Sequence, residues 1–121
     1  MNTLTDDSRP IFLQIAEQIE DDIIKGGLPE ESQVPSTNQF ASFYQINPAT
    51  AAKGVNLLVD QGILYKKRGI GMFVTKGARE IVMKKRREQF YEQYVIKMKQ
   101  EAEKLGITAE ELKEMIMKGE E

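Results

Sequence analysis

STNQFASFYQINPATAAKGVNLLVDQG, residues 36–62, holds two helix starts within one short stretch. Ser36 and Gln39 stand at the spacing of a capping box, in which the hydroxyl takes an orphan backbone N–H and the Gln side chain reaches back to the cap. Phe40, Ala41 and Phe43 supply a short apolar face, so the first helix runs from Ser36 to about Tyr44. Asn47-Pro48 is the second start, an N-cap residue followed by the residue favoured at the first helical position. Ala51, Val55, Leu58 and Val59 then recur at helical spacing until Gly62. Two helices joined by a short turn make a helix-turn-helix, although the glycine usual in that turn is absent.

Upstream, Phe12, Ile15, Ile19 and Ile23 repeat in steps of three and four behind Pro10 and stop before Gly26-Gly27, which predicts a first helix of about four turns. GGLPEESQVP, residues 26–35, has no periodicity and reads as a loop. Downstream, ILYKK and MFVT flank RGIG, so the chain forms a β-hairpin whose tip holds Arg68, Gly69, Ile70 and Gly71. The predicted fold is mainly α with a small β-hairpin: a winged helix-turn-helix over residues 1–76, followed by a helical dimerisation tail over 77–121. The tail is expected as one long helix from Ala78 to Leu105, stopped by Gly106, and a short one launched by the capping box TAEE.

Composition removes most catalytic devices. The 121 residues contain no cysteine and no histidine, which excludes disulfides, thiolate nucleophiles, soft-ligand metal sites and imidazole triads. Glu20, Asp21 and Asp22 are adjacent on a helix and so diverge rather than converge on a reaction centre. An enzyme is not expected, and neither a cofactor nor a metal is called for. The opening MNTLTDDSRP is acidic where a signal peptide needs a basic end and an apolar stretch, and no apolar run matches a membrane span, so the expected location is cytoplasmic.

The net charge of -2 conceals an asymmetry. Residues 1–62 hold 3 Lys and Arg against 9 Asp and Glu, residues 63–99 hold 11 against 3, and residues 100–121 hold 3 against 7. One basic block, centred on the hairpin, faces either a polyanion or plain solvent. Cations on a glycine-rich tip suit phosphate contact, because the glycines let the main chain approach without a Cβ. A tight turn with solvated Lys66, Lys67 and Arg68 is the competing reading. The run Lys84–Arg87 likewise reads as the polar face of a helix or as a second phosphate-facing patch.

PIFLQIAEQIEDDIIKGGL and VPSTNQFASFYQINPATAAKGVNLLVDQGILYKKRGIGMFV together resemble the DNA-binding domain of GntR-type bacterial transcription regulators, over roughly residues 10–76. The short helical tail is similar to that of the YtrA subfamily. This resemblance implies a homodimeric repressor of an inverted-repeat, double-stranded DNA operator, commonly of a transporter operon. By the same resemblance Ser36 corresponds to the Pro-Ser element before the second helix, Thr50 and Lys53 to polar and basic positions of the recognition helix, and Arg68 with Gly69 to the wing tip. Asn38 departs from the family, which usually has an arginine there, and Ala52 stands where some relatives place another.

The expected DNA-binding residues are therefore Ser36, Thr37, Asn38, Asn47, Ala49, Thr50, Lys53, Lys67, Arg68, Gly69 and Gly71. Asn56 is a further candidate, and Asn47 has the simpler reading of a helix cap. Phe90, Tyr91, Tyr94, Val95, Met98, Ala102 and Leu105 form an apolar seam on the tail that a second chain would cover; the alternative use is an effector pocket. A winged helix that docks proteins instead of reading DNA is the competing functional class. The operator, the regulated genes and any effector are not legible in these residues.

Overall fold

The computed structural model describes residues 8–119; most of the acidic opening, residues 1–7, lies outside them, as do residues 120 and 121. Its elements are α1 (Ile11–Lys25), α2 (Thr37–Tyr44), α3 (Pro48–Asp60), β1 (Leu64–Lys67), β2 (Gly71–Val74) and α4 (Ala78–Phe90), then a π-helical turn (Tyr91–Val95), α5 (Ile96–Lys104) and α6 (Ala109–Met117). The described residues divide into two compact units that meet at Lys84 and Lys85.

The first unit is built on the apolar stripes that the sequence lays out. Ile15, Ile19 and Ile23 of α1, Phe40 and Ala41 of α2, and Ala51, Val55 and Leu58 of α3 bury together with Ile63, Leu64 and Val74 of the hairpin and Ala78 and Val82 of α4. Full burial of each large aliphatic side chain contributes about 1.5–3 kcal/mol. Arg79 ties the start of α4 to the end of α1, its Nε donating to the Ile24 carbonyl at 3.2 Å.

Helix ends follow the local signals. Ser36 Oγ accepts the Gln39 N–H at 3.1 Å and Gln39 Oε1 accepts the Ser36 N–H at 2.7 Å, a complete capping box. Where the turn after α2 lacks glycine, Gln45 takes the left-handed conformation at φ 54°. The Ile46 N–H returns to the Ala41 carbonyl and the Gln45 N–H to Ser42, which closes the helix in a Schellman turn. A non-glycine residue is strained there, so Gln45→Gly is expected to stabilise the protein by about 0.5 kcal/mol. Thermal denaturation reads this as a rise of about 2–4 °C. An unchanged midpoint would mean that Gln45 makes compensating contacts.

Two expectations need correction. Residues 31–34, read as loop, pair with the outer side of β2: Glu31 N–H donates to Val74, Val74 N–H to Ser32, and Val34 N–H to Met72, all at 2.8–2.9 Å. Pairing of so short a segment comes from the unpaired edge of β2 and leaves no periodicity to read. The tail helix is also not uniformly α. Between Tyr91 and Val95 it widens by one residue, with the Ile96 N–H reaching back to the Tyr91 carbonyl, five residues away. In the second unit α5 ends at Lys104, and the chain turns away at Gly106, φ 71°, with the Ile107 N–H closing on the Ala102 carbonyl at 2.9 Å. Thr108 and Glu111 complete the second capping box, and the hydrogen bonds from Thr108 hold the Glu111 carboxyl below its usual pKa.

Candidate nucleic-acid interface

The expected recognition helix is α3, and it rests on α1 through a position without a side chain. A Cβ on Gly54 would lie 2.7 Å from the Phe12 carbonyl oxygen and 3.0 Å from Ile15 Cβ. With Gly54, Ala51, Val55 and Leu58 buried, the opposite face of α3 presents Ala49, Lys53, Asn56 and Asp60 to solvent, with Thr50 and Ala52 half-buried.

Asn47 is a working cap: its Oδ1 accepts the Ala49 N–H at 2.7 Å. Its amide NH2 is the part left to meet a base or a phosphate. Ser36 has the same division of labour, its oxygen serving α2, while Thr37 is half-buried and Asn38 exposed in the first turn of that helix. Lys53 is not simply an extended cation. Its Nζ sits 4.1 Å from the centroid of the Phe12 ring, a cation–π contact between α3 and the start of α1. Phe12, Ala49, Ala52, Lys53, Asn56, Leu57 and Asp60 thus line one groove of about 500 Å³. The sequence pattern assigned Phe12 to the core stripe of α1, and its period offers no sign of this second use.

In the hairpin the register pairs Leu64 with Val74, Tyr65 with Phe73, Lys66 with Met72 and Lys67 with Gly71. Strand alternation sends Lys66 to the side of buried Leu64 and Val74, and Lys67 to the other side. There Tyr65 and Phe73 stack at 5.9 Å and the Lys67 Nζ lies 4.3 Å above the Phe73 ring. The Tyr65 hydroxyl donates to Glu31 at 2.9 Å. That bond, then burial and the Glu31 charge, raise the Tyr65 pKa above the ordinary phenol value.

Arg68, Gly69 and Ile70 form the turn, closed by the Ile70 N–H donating to Lys67 at 2.9 Å, and all three are exposed. Gly69 at φ 76° meets the positive backbone angle the turn requires. Gly71, expected at the tip, is the first residue of β2. The structure therefore gathers Ala49 and Lys53 on one groove and Lys67, Arg68, Gly69 and Gly71 on one hairpin, with Ser36, Thr37 and Asn38 at the start of α2. Gln33, which the sequence left in a loop, is an addition: its Nε2 donates to the Ile70 carbonyl at 3.0 Å.

Elsewhere, Glu20 is buried while Asp21 and Asp22 are half-exposed, so the acidic triplet does diverge. Among the described residues no helix is long and apolar enough to cross a membrane.

Three helices, the third capped by Asn47, and a basic hairpin define a winged helix-turn-helix. The description of bacterial regulatory proteins of the gntR family matches residues 12–74, and the chain belongs to that family. It is 34% identical over 112 residues to the uncharacterised HTH-type transcriptional regulator YhcF of Bacillus subtilis (strain 168), a match covering 90% of this chain and 88% of that one. The HTH-type transcriptional repressor YtrA of the same organism is 29% identical over 112 residues, covering 90% and 83%. Likeness that extends through the tail is consistent with the YtrA-like subfamily. The transcriptional repressor NagR of Bacillus subtilis (strain 168) is 36% identical over 67 residues, 55% of this chain but only 28% of NagR. Among solved structures, a GntR family transcriptional regulator from Listeria monocytogenes superposes with TM-score 0.78 at 29% identity, covering 96% of this chain and all of that one. The AraR DNA-binding domain in complex with operator ORX1 matches 62% of this chain and 90% of that one at TM-score 0.55 and 28% identity. The family and these relatives are transcriptional regulators, not enzymes.

Proposed function

We propose that the protein is a cytoplasmic, homodimeric repressor that reads an inverted-repeat operator with α3 and grips the flanking backbone with its wing. The observation that carries this reading is the wing tip: Arg68 exposed on a glycine turn, with Lys67 on the aromatic face beside it. Basic side chains on a closely approachable backbone supply the phosphate contacts that position a reader on DNA. Base reading falls to Ala49, Thr50, Lys53 and Asn56, with the Asn47 amide NH2 at the helix start. The likeness to the repressor YtrA and to an operator-bound AraR domain supports the same reading, and a transporter operon as target is what the resemblance to the YtrA subfamily implies.

Selection of sites from a random duplex pool, followed by titration across salt, tests it. An inverted repeat should be enriched, with half-sites about 10 bp apart. Arg68→Ala should weaken every sequence about tenfold and flatten the salt slope by about one, while Thr50→Ala should relax selectivity at one position. Unchanged affinity in both variants would remove the repressor reading. A protein-docking role draws support from α3, where Lys53 is the sole cation and is drawn onto Phe12 beside Asp60. Failure to enrich any sequence would favour it.

A further inference from the structure

Gln33 reaches the wing tip from the segment between α1 and α2. Its backbone is fixed on both sides, because the Ser32 carbonyl and the Val34 N–H are both bonded to β2. From there the side chain crosses the start of β2, and its Nε2 donates to the Ile70 carbonyl at 3.0 Å. Ile70 is then held at both polar backbone groups, since its N–H donates to Lys67. A second observation points to the same fit. A Cβ on Gly71 would stand 2.6 Å from Gln33 Nε2, so the missing side chain at Gly71 is the space the amide occupies. Gly71 also has φ 144°, which favours glycine, but the amide explains why the space itself is filled.

We propose that Gln33 is a positioning residue for DNA recognition: its amide sets the Arg68–Gly69–Ile70 turn so that Arg68 meets a backbone phosphate. This inference rests on the reading of the wing as a DNA-gripping element. A turn already ordered before binding loses less conformational freedom when DNA arrives, so the brace acts through affinity and not through charge.

The test uses the full chain and the operator duplex recovered by selection. Gln33→Met keeps the length of the side chain and removes the N–H donor. It should weaken binding about fivefold, the loss of one hydrogen bond, while the salt slope stays unchanged because Arg68 keeps its charge. In an Arg68→Ala background the same substitution should have no further effect, since nothing is left to position. A general structural defect would instead lower the thermal midpoint and weaken both backgrounds equally, which overturns the proposal. Arg68→Ala weakening binding while Gln33→Met does not would remove the brace alone. If Arg68→Ala itself leaves affinity intact, the wing reading falls and the brace with it.

Discussion

Gly54→Ala is expected to destabilise the protein by about 2 kcal/mol and lower the thermal midpoint by about 10 °C. Helix propensity alone predicts the opposite, because alanine in a helix interior is favoured over glycine by about 1 kcal/mol. The structure reverses the sign. The new Cβ would stand 2.7 Å from a backbone oxygen of α1 and 3.0–3.1 Å from Ile15, and backbone cannot rotate aside as a side chain can. α3 would have to lift from α1, which also separates Lys53 from Phe12, so DNA binding should weaken along with stability. Gly27→Ala is the matched control, since its Cβ would meet only the Asp22 carbonyl at an ordinary 3.6 Å. Equal midpoints for wild type and Gly54→Ala would mean that the two helices have slack between them.

The second large effect concerns assembly and depends on the proposed dimer. Phe90, Tyr91, Tyr94 and Leu105 are each at least half exposed, Met98 is 36% exposed, and Val95 is half-buried. Ala102, expected on the same seam, is 6% exposed and so is already covered within its own chain. Met98→Lys places a charge in this stretch while keeping helix propensity nearly constant, so circular dichroism should be unchanged. Sedimentation should then find monomers, and operator affinity should fall by about 100-fold or more as the two half-sites lose their link. A dimer that survives Met98→Lys would move the interface elsewhere, with exposed Met115, Ile116 and Met117 of α6 the next surface to test.

Signals confined to a few neighbouring residues were legible. Capping boxes at Ser36 and Thr108, Pro48 behind Asn47, the period of α1 and α3, and the glycine turn of the wing each act through the chain's own next turn. Contacts between distant residues were not. Gln33 meets Ile70 across 37 positions, and Tyr65 meets Glu31 across 34, with no local mark on any of the four. Phe12 was visible as apolar but not as the seat of Lys53. The π turn also escaped the pattern, because Tyr91, Val95, Met98, Ala102 and Leu105 step by four and three, which fits an α-helix and does not reveal one wider turn.

The sequence by itself determined the order of elements and the winged-helix class, since these depend on short-range periodicity, caps and motif spacing, and its resemblance over residues 10–76 pointed to the family. Tertiary structure alone decided which glycine is a contact between helices, which lysine is held by a ring, and which polar side chain braces the wing. Those outcomes depend on where distant backbones approach each other within a few ångströms, a distance no single stretch of sequence encodes.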